Sequence, residues 1–221
     1  MELIVVFEND QIIVVDKPAG IQVEHFSGQV SLEDMVWEYL EKKIKKPFVG
    51  IVHRLDKPVS GLVILAKKKS ALKKLNEQFR ERKIEKGYFA ITNSKPVEEQ
   101  GKLEHYLKRS ADKRSAVLTS KKDSKGIFCA LEYQMIEEKD GFYLLEVKPL
   151  TGRFHQIRVQ LAAIGCPIIG DVVYGGKEIK NMVGIGLRAI SLGFYDPLSG
   201  QKIELKAPRN RDNIWVRYER I

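Results

Sequence analysis

The run Gly61-Leu62-Val63-Ile64-Leu65-Ala66 contains no charged or hydroxyl side chain. An apolar run this short, preceded by turn formers, predicts a buried strand. Just before it stand His53, Arg54, Leu55, Asp56 and Lys57, then Pro58 and the pair Ser60-Gly61 as a turn. The chain must therefore fold so that a charged loop opens directly onto a sheet core.

The rest of the pattern repeats this theme of short strands and tight turns. Leu3–Phe7 and Gln11–Asp16 predict a hairpin around Glu8-Asn9-Asp10. Ser31 followed by Asp34 resembles a capping box, and Leu32, Met35, Val36, Tyr39 and Leu40 keep helical spacing to about Lys43. Ser70 is expected to cap a second helix, with Leu72, Leu75 and Phe79 on one face. A strand is expected from Lys86 to Thr92. Residues Pro96 to Lys125 are polar and basic, with one short apolar run at Ala116–Leu118. Ile127–Ile136 and Phe142–Leu150 alternate as antiparallel strands around a turn at Glu137–Gly141. Thr151 to Ile164 predicts a helix ended by Gly165 and Pro167. Leu187–Phe194 and Lys202–Lys206 close a last hairpin around Asp196–Gly200. Strands outnumber helices and are joined by short turns, which predicts an α+β fold with a largely antiparallel sheet. One catalytic domain spanning 1–221 is the simplest partition.

Charge and cysteine content narrow the function classes. Lys and Arg outnumber Asp and Glu by 38 to 29, a net charge of +9 with a pI near 9.4. That balance favours a polyanionic partner, with nucleic acid ahead of a membrane surface. Two cysteines, Cys129 and Cys166, exclude a disulfide framework and a four-thiolate metal site. The start has no basic leader, and apolar runs stay short of the ~20 residues of a membrane span. A cytoplasmic protein with no membrane contact is expected.

Three places could carry chemistry. An aspartate beside a proline is by default a turn acceptor. Asp56 departs from that default because Arg54 is near and the following strand is buried. A partly buried carboxylate beside a cation keeps its charge and can act as nucleophile or base. In Gly152-Arg153-Phe154-His155-Gln156-Ile157-Arg158, the expected helix puts a guanidinium near its start, where the macrodipole disfavours a cation. Arg158 therefore calls for an anionic partner, either Asp56 or a phosphate. His155 alone reads as a hydrogen-bonded structural histidine. In Lys86-Gly87-Tyr88-Phe89-Ala90, Tyr88 is either half-buried strand packing or a platform for a nucleobase. No His, Cys or carboxylate spacing suggests a metal. His53-Arg54-Leu55-Asp56 resembles a kinase catalytic loop only with its aspartate displaced, and neither a phosphate loop nor a nucleophile elbow is present.

Together these segments resemble a known family. HRLDKPVSGLVILAK, KGYFA, GRFHQIRVQLAAIGCPIIGDVVYG and the opening VVFENDQIIVVDKPAG are similar, in order, to the four motif blocks of the RluA-type pseudouridine synthases. The blocks cover roughly residues 3–206. Three positions depart from the usual pattern: Val59 for threonine, Phe154 for threonine and Gln160 for histidine.

The resemblance implies a mixed, mainly antiparallel sheet with a central catalytic cleft and flanking helices. It implies an enzyme that isomerises uridines of structured RNA, ribosomal or transfer, without cofactor or metal. Asp56 is then the catalytic carboxylate, Tyr88 stacks on the base, and Arg158 pairs with Asp56. Arg54 helps displace the flipped nucleotide, Leu55 and Ile157 wall the pocket, and His53, His155 and Arg153 join the substrate contacts. No separate N-terminal S4-like domain is expected, so the catalytic domain itself holds the RNA, as a monomer. The alternative is a non-catalytic RNA-binding module of the same descent.

Overall fold

The computed structural model describes residues 2–209 and Trp215. The remaining positions of the expected 1–221 domain lie outside the described residues. In chain order the elements are β1 (Ile4–Glu8), β2 (Ile12–Lys17), α1 (Leu32–Glu41), β3 (Gly50–Ile51), β4 (Ser60–Ala66), α2 (Lys69–Arg80), β5 (Glu85–Thr92), β6 (Gln100–Arg109), β7 (Ala116–Thr119), β8 (Ile127–Lys139), β9 (Phe142–Pro149), α3 (Gln156–Ala163), β10 (Leu187–Tyr195) and β11 (Lys202–Lys206), with a 3-10 turn at Val172–Tyr174. The chain divides into two compact units, one of residues 2–86 and 189–209, the other of residues 87–188 with Trp215.

In the first unit the strand order is β1-β2-β4-β10, with β11 on β10 and β3 on β4. The β1–β2, β2–β4, β3–β4 and β10–β11 pairs are antiparallel. Every residue of β4 is buried, as the unbroken apolar run predicts, and so is every residue of β2, the charged Asp16 and Lys17 included. Ile12, Val14, Leu62 and Ile64 pack with Leu192 and Phe194 of β10 and with Ala71 and Leu75 of α2. The capping box forms as expected: Ser31 Oγ accepts from Asp34 N–H at 3.1 Å, and Asp34 Oδ2 accepts from Ser31 N–H at 3.1 Å. Ser70 does not cap α2. That helix starts one residue earlier, with Lys68 at the N-cap position and no side-chain cap.

The second unit is a sheet in the order β5-β9-β8-β6-β7, antiparallel at each of these pairings. β6 runs through the polar middle where only Ala116–Leu118 looked apolar. Its buried face carries Leu107 and its other face is solvated, so few hydrophobic residues mark it in sequence. β8 extends beyond its expected end because Asp140 and Gly141, at φ 53 and 74, make a two-residue turn and a bulge near Met135 absorbs the register. Val159 of α3 packs on Leu107, Ala116 and Cys129.

Gly61 belongs to strand β4 rather than to a turn. Its φ is +115°, and a Cβ there would lie 2.2 Å from Ala189 O. Gly61→Ala is expected to lower unfolding free energy by about 2–4 kcal/mol in urea titration, through backbone strain and overpacking. Stability equal to the parent's would contradict this close approach.

Candidate active site

The Asp56 segment is organised by a lysine. Lys17, the last residue of β2, is 0% exposed. Its Nζ donates to the carbonyls of Ile21 at 2.7 Å, Pro18 at 3.0 Å and Lys57 at 3.3 Å. The Lys57 carbonyl also accepts from Gly20 N–H at 2.8 Å. The Lys17-Pro18-Ala19-Gly20 segment is thereby stitched to the loop that enters β4. An ammonium has three protons to give, and here each meets a carbonyl.

Asp56 itself is half-buried, and its carbonyl accepts from Val59 N–H at 3.0 Å to close the turn before β4. Burial pushes Lys17 down to about 7, while Asp56 and Asp16 pull it back up. These two carboxylates therefore sit in the field of a buried cation.

The neighbours of Asp56 take different positions. Leu55 is buried. His53 Nε2 accepts from Ile64 N–H at 3.1 Å, and its ring stacks on Phe79 at 5.1 Å between centroids. Burial, with Lys86 nearby, pushes His53 down to about 3, so it stays neutral at ordinary pH. His53 thus ties the loop to β4. Arg54 is exposed, and its Nη1 meets Glu24 Oε2 at 2.9 Å, with both side chains about half exposed.

A second polar cluster lies in the other unit. The expected helix from Thr151 is shorter and begins at Gln156. The preceding residues are held as a loop by the Gln156 side chain. Its Oε1 accepts from Thr151 Oγ1 at 2.7 Å and Arg153 N–H at 3.0 Å, while Nε2 donates to Ala130 O at 2.9 Å. His155 sits at the N-cap with φ 54, a left-handed conformation uncommon outside glycine. Its ring stacks on Phe154 at 3.8 Å, and its Nδ1 shares a 2.9 Å hydrogen bond with the Tyr174 hydroxyl. Arg153 is exposed, with Nε 3.4 Å from Phe128 O.

Arg158 has a partner that sequence reasoning did not single out. Its Nε and Nη2 donate to the two oxygens of Asp171 at 2.7 and 2.8 Å, with side-chain exposures of 5% and 1%. The Tyr174 ring lies 5.1 Å from the guanidinium carbon. The signal was present in the sequence as Gly170-Asp171-Val172-Val173-Tyr174-Gly175-Gly176. The 3-10 turn in this segment sets the aspartate and the tyrosine around one arginine. Gly176 permits the turn, since a Cβ there would lie 1.8 Å from Ile168 O. Tyr88 is buried in β5 opposite Val147, and Ile157 is buried in α3.

A family model described as RNA pseudouridylate synthase matches residues 11–163, from β2 through α3. The chain belongs to the RNA pseudouridylate synthase family. Among its relatives, the ribosomal large subunit pseudouridine synthase C of Rickettsia felis is 33% identical over 207 residues, covering 91% of this chain and 66% of that protein. The protein of the same name from Buchnera aphidicola is 35% identical over 218 residues, covering 94% and 68%. The chain thus spans about two thirds of these curated relatives. In fold it is similar to two human structures. RNA Pseudouridylate Synthase Domain Containing 4 has a TM-score of 0.80 at 22% identity, covering 96% of this chain and 90% of that one. RNA Pseudouridylate Synthase Domain Containing 1 has a TM-score of 0.74 at 23% identity, covering 94% and 83%. The α+β fold of the pseudouridylate synthases is therefore shared. Among the described residues no group of three or more His, Cys, Asp or Glu is placed to hold a metal, and no helix is long and apolar enough to cross a membrane.

The buried lysine has a measurable consequence. Its folded pKa, about 7, lies below the ordinary value of 10.5. Between those values the unfolded chain holds more protons, so this group's contribution to stability rises with pH. It is fully present above 10.5 and is lost as pH falls through 7. Urea unfolding of Lys17→Met across pH 7 to 10.5 is expected to show a smaller upward slope than the parent, and equal slopes would contradict the burial of the charge.

Proposed function

We propose that this chain is an RNA pseudouridine synthase and that Asp56 is its catalytic carboxylate. The carrying observation is the Asp56 turn, half-buried at the head of β4 and fixed from below by the Lys17 ammonium. Membership of the family and the names of the relatives support the reaction type. Those names also support ribosomal RNA over transfer RNA as the substrate class. On this reading the chain is a single catalytic domain.

The reaction cleaves the bond from ribose C1′ to uracil N1, turns the base and joins C1′ to C5. The electron pair of the broken bond is delocalised over the uracil, N1 gains a proton and C5 loses one. The product is an isomer of the substrate. A carboxylate at this position can attack C1′ or remove the C2′ proton to give a glycal. Both routes require a held, ionised carboxylate and no external oxidant or energy source.

The nucleotide must leave its stack, at a cost of a few kcal/mol. Stacking on Tyr88 offsets roughly 1–3 kcal/mol of it. Arg54 is suited to displacing the base, because an exposed pair such as Arg54–Glu24 is worth about 1 kcal/mol or less and releases readily. Arg158 supplies positive charge to the reaction. Leu55, Leu62 and Ile157 provide apolar walls that exclude water while the base turns. The exposure of Arg153 supports a phosphate contact there. His155 acts by holding Tyr174, and His53 by bracing the loop.

RNA labelled with tritium at uridine C5 is expected to release tritium to water with the parent chain. Asp56→Asn is expected to abolish release while binding the same RNA. Full release by Asp56→Asn would remove Asp56 from its assigned role.

A further inference from the structure

The segment from Tyr106 to Phe128 carries seven cations, Lys108, Arg109, Lys113, Arg114, Lys121, Lys122 and Lys125, against only Asp112 and Asp123. Its net charge of +5 is more than half of the chain's +9, concentrated in about a tenth of its length. Both carboxylates are already engaged. Asp112 accepts from Arg114 N–H at 3.0 Å, and Asp123 binds Lys108 Nζ at 2.6 Å and Thr119 Oγ1 at 2.7 Å. The side chains of Lys113, Arg114, Lys121, Lys122 and Lys125 stand exposed in the loops at either end of β7.

An aromatic pair lies on the sheet that these loops join. Tyr106 of β6 is directly opposite Thr119 of β7 and Phe128 of β8, so the three share one face. The Tyr106 and Phe128 rings meet edge to face at 5.6 Å. Phe128 is 40% exposed, and Arg153 Nε reaches its carbonyl. Lys108, two residues along β6, points to the same face. A part-exposed aromatic beside a dense cation cluster sets a π-face next to positive charge. Its chemistry matches an unpaired nucleotide strand, in which bases offer π-faces and phosphates offer charge.

We propose that the β6–β7–β8 face is a docking surface for single-stranded RNA. Phe128, supported by Tyr106, stacks a base, and Lys121, Lys122 and Lys125 follow the phosphates. This surface rests on the synthase reading for its choice of RNA, and it would hold substrate segments that flank the target uridine.

The test uses the full chain, a fluorescein-labelled RNA hairpin with single-stranded flanks, a blunt duplex of the same composition, and phosphatidylglycerol vesicles. Phe128→Ala and Phe128→Leu are expected to weaken hairpin binding by roughly 5- to 150-fold. Phe128→Leu keeps apolar bulk, so its loss reports the stacking alone. The triple variant Lys121→Ala, Lys122→Ala, Lys125→Ala is expected to reduce the slope of log affinity against log salt by about 2. The parent should prefer the flanked hairpin to the duplex and to vesicles. Unchanged affinity and slope in the variants overturns the proposal, as does tighter binding to vesicles than to RNA. Tritium release by the parent is measured in parallel. Its absence alongside the expected binding losses would sink the synthase reading and leave this surface standing.

Discussion

A single buried ammonium governs the geometry of the first unit's polar loop. Lys17 lies at the end of a strand in which every residue is buried, so its side chain has no route to solvent. Taking the charge from water costs several kcal/mol even after relaxation. Hydrogen bonds to a charged donor are worth about 1.5–3 kcal/mol each, and three carbonyls offset part of that penalty, the remainder showing as a Lys17 pKa lowered to about 7. Because the three belong to residues 18, 21 and 57, satisfying the lysine fixes the path of two chain segments at once. The loop is positioned as a consequence of satisfying the buried charge.

The second unit solves a similar problem with an arginine. Arg158 sits in the first turn of α3, where the helix dipole opposes a cation. The two-pronged contact with Asp171 answers that opposition and aligns the guanidinium plane. Tyr174 is then shared: its ring lies by Arg158, and its hydroxyl accepts from Ala116 N–H at 2.8 Å while bonding His155. Rotating the arginine would disturb β7, the 3-10 turn and the N-cap together. Preorganisation of this kind suits a site where charge develops during reaction.

What could be read from sequence follows from how local each determinant is. The burial of Gly61–Ala66, the Ser31–Asp34 capping box and the last hairpin, β10–β11, depend on neighbours a few residues away, and they stand where the pattern puts them. The start of α3 does not, because Gln156 takes its side-chain partners from Thr151, Arg153 and Ala130 and holds the residues before it out of the helix. Lys17 was visible only as part of a motif. Its three carbonyls exist only after residues 17 and 57 meet, so no periodicity could mark it as buried. Asp171 was likewise hidden inside the Gly-Asp-x-x-Tyr-Gly block, thirteen residues from the arginine it grips. In α3, Ile157 and Leu161 are buried, and Gln156, Arg158 and Gln160 are buried as well. A helix enclosed nearly all round has no polar stripe for sequence spacing to reveal.

The three departures from the usual motif pattern make sense in these surroundings. Val59 is 2% exposed, and at that burial a methyl in place of a hydroxyl removes a polar group that would need its own partner. Phe154 lies between the Arg109 guanidinium, 4.2 Å from its ring, and the His155 imidazole. An aromatic therefore extends a stack that threonine would end. Gln160 donates through Nε2 to Leu103 O at 3.0 Å and lies 3.1 Å from His105 Nδ1. Burial already pushes His105 down, and a neutral imidazole at 160 would have one donor, whose place depends on its tautomer, to offer where the amide has two. An amide supplies the donor at every pH. Each substitution thus keeps the local hydrogen-bond or packing demand while changing the group that meets it, and none touches the carbonyls that hold Lys17 or the carboxylate that holds Arg158.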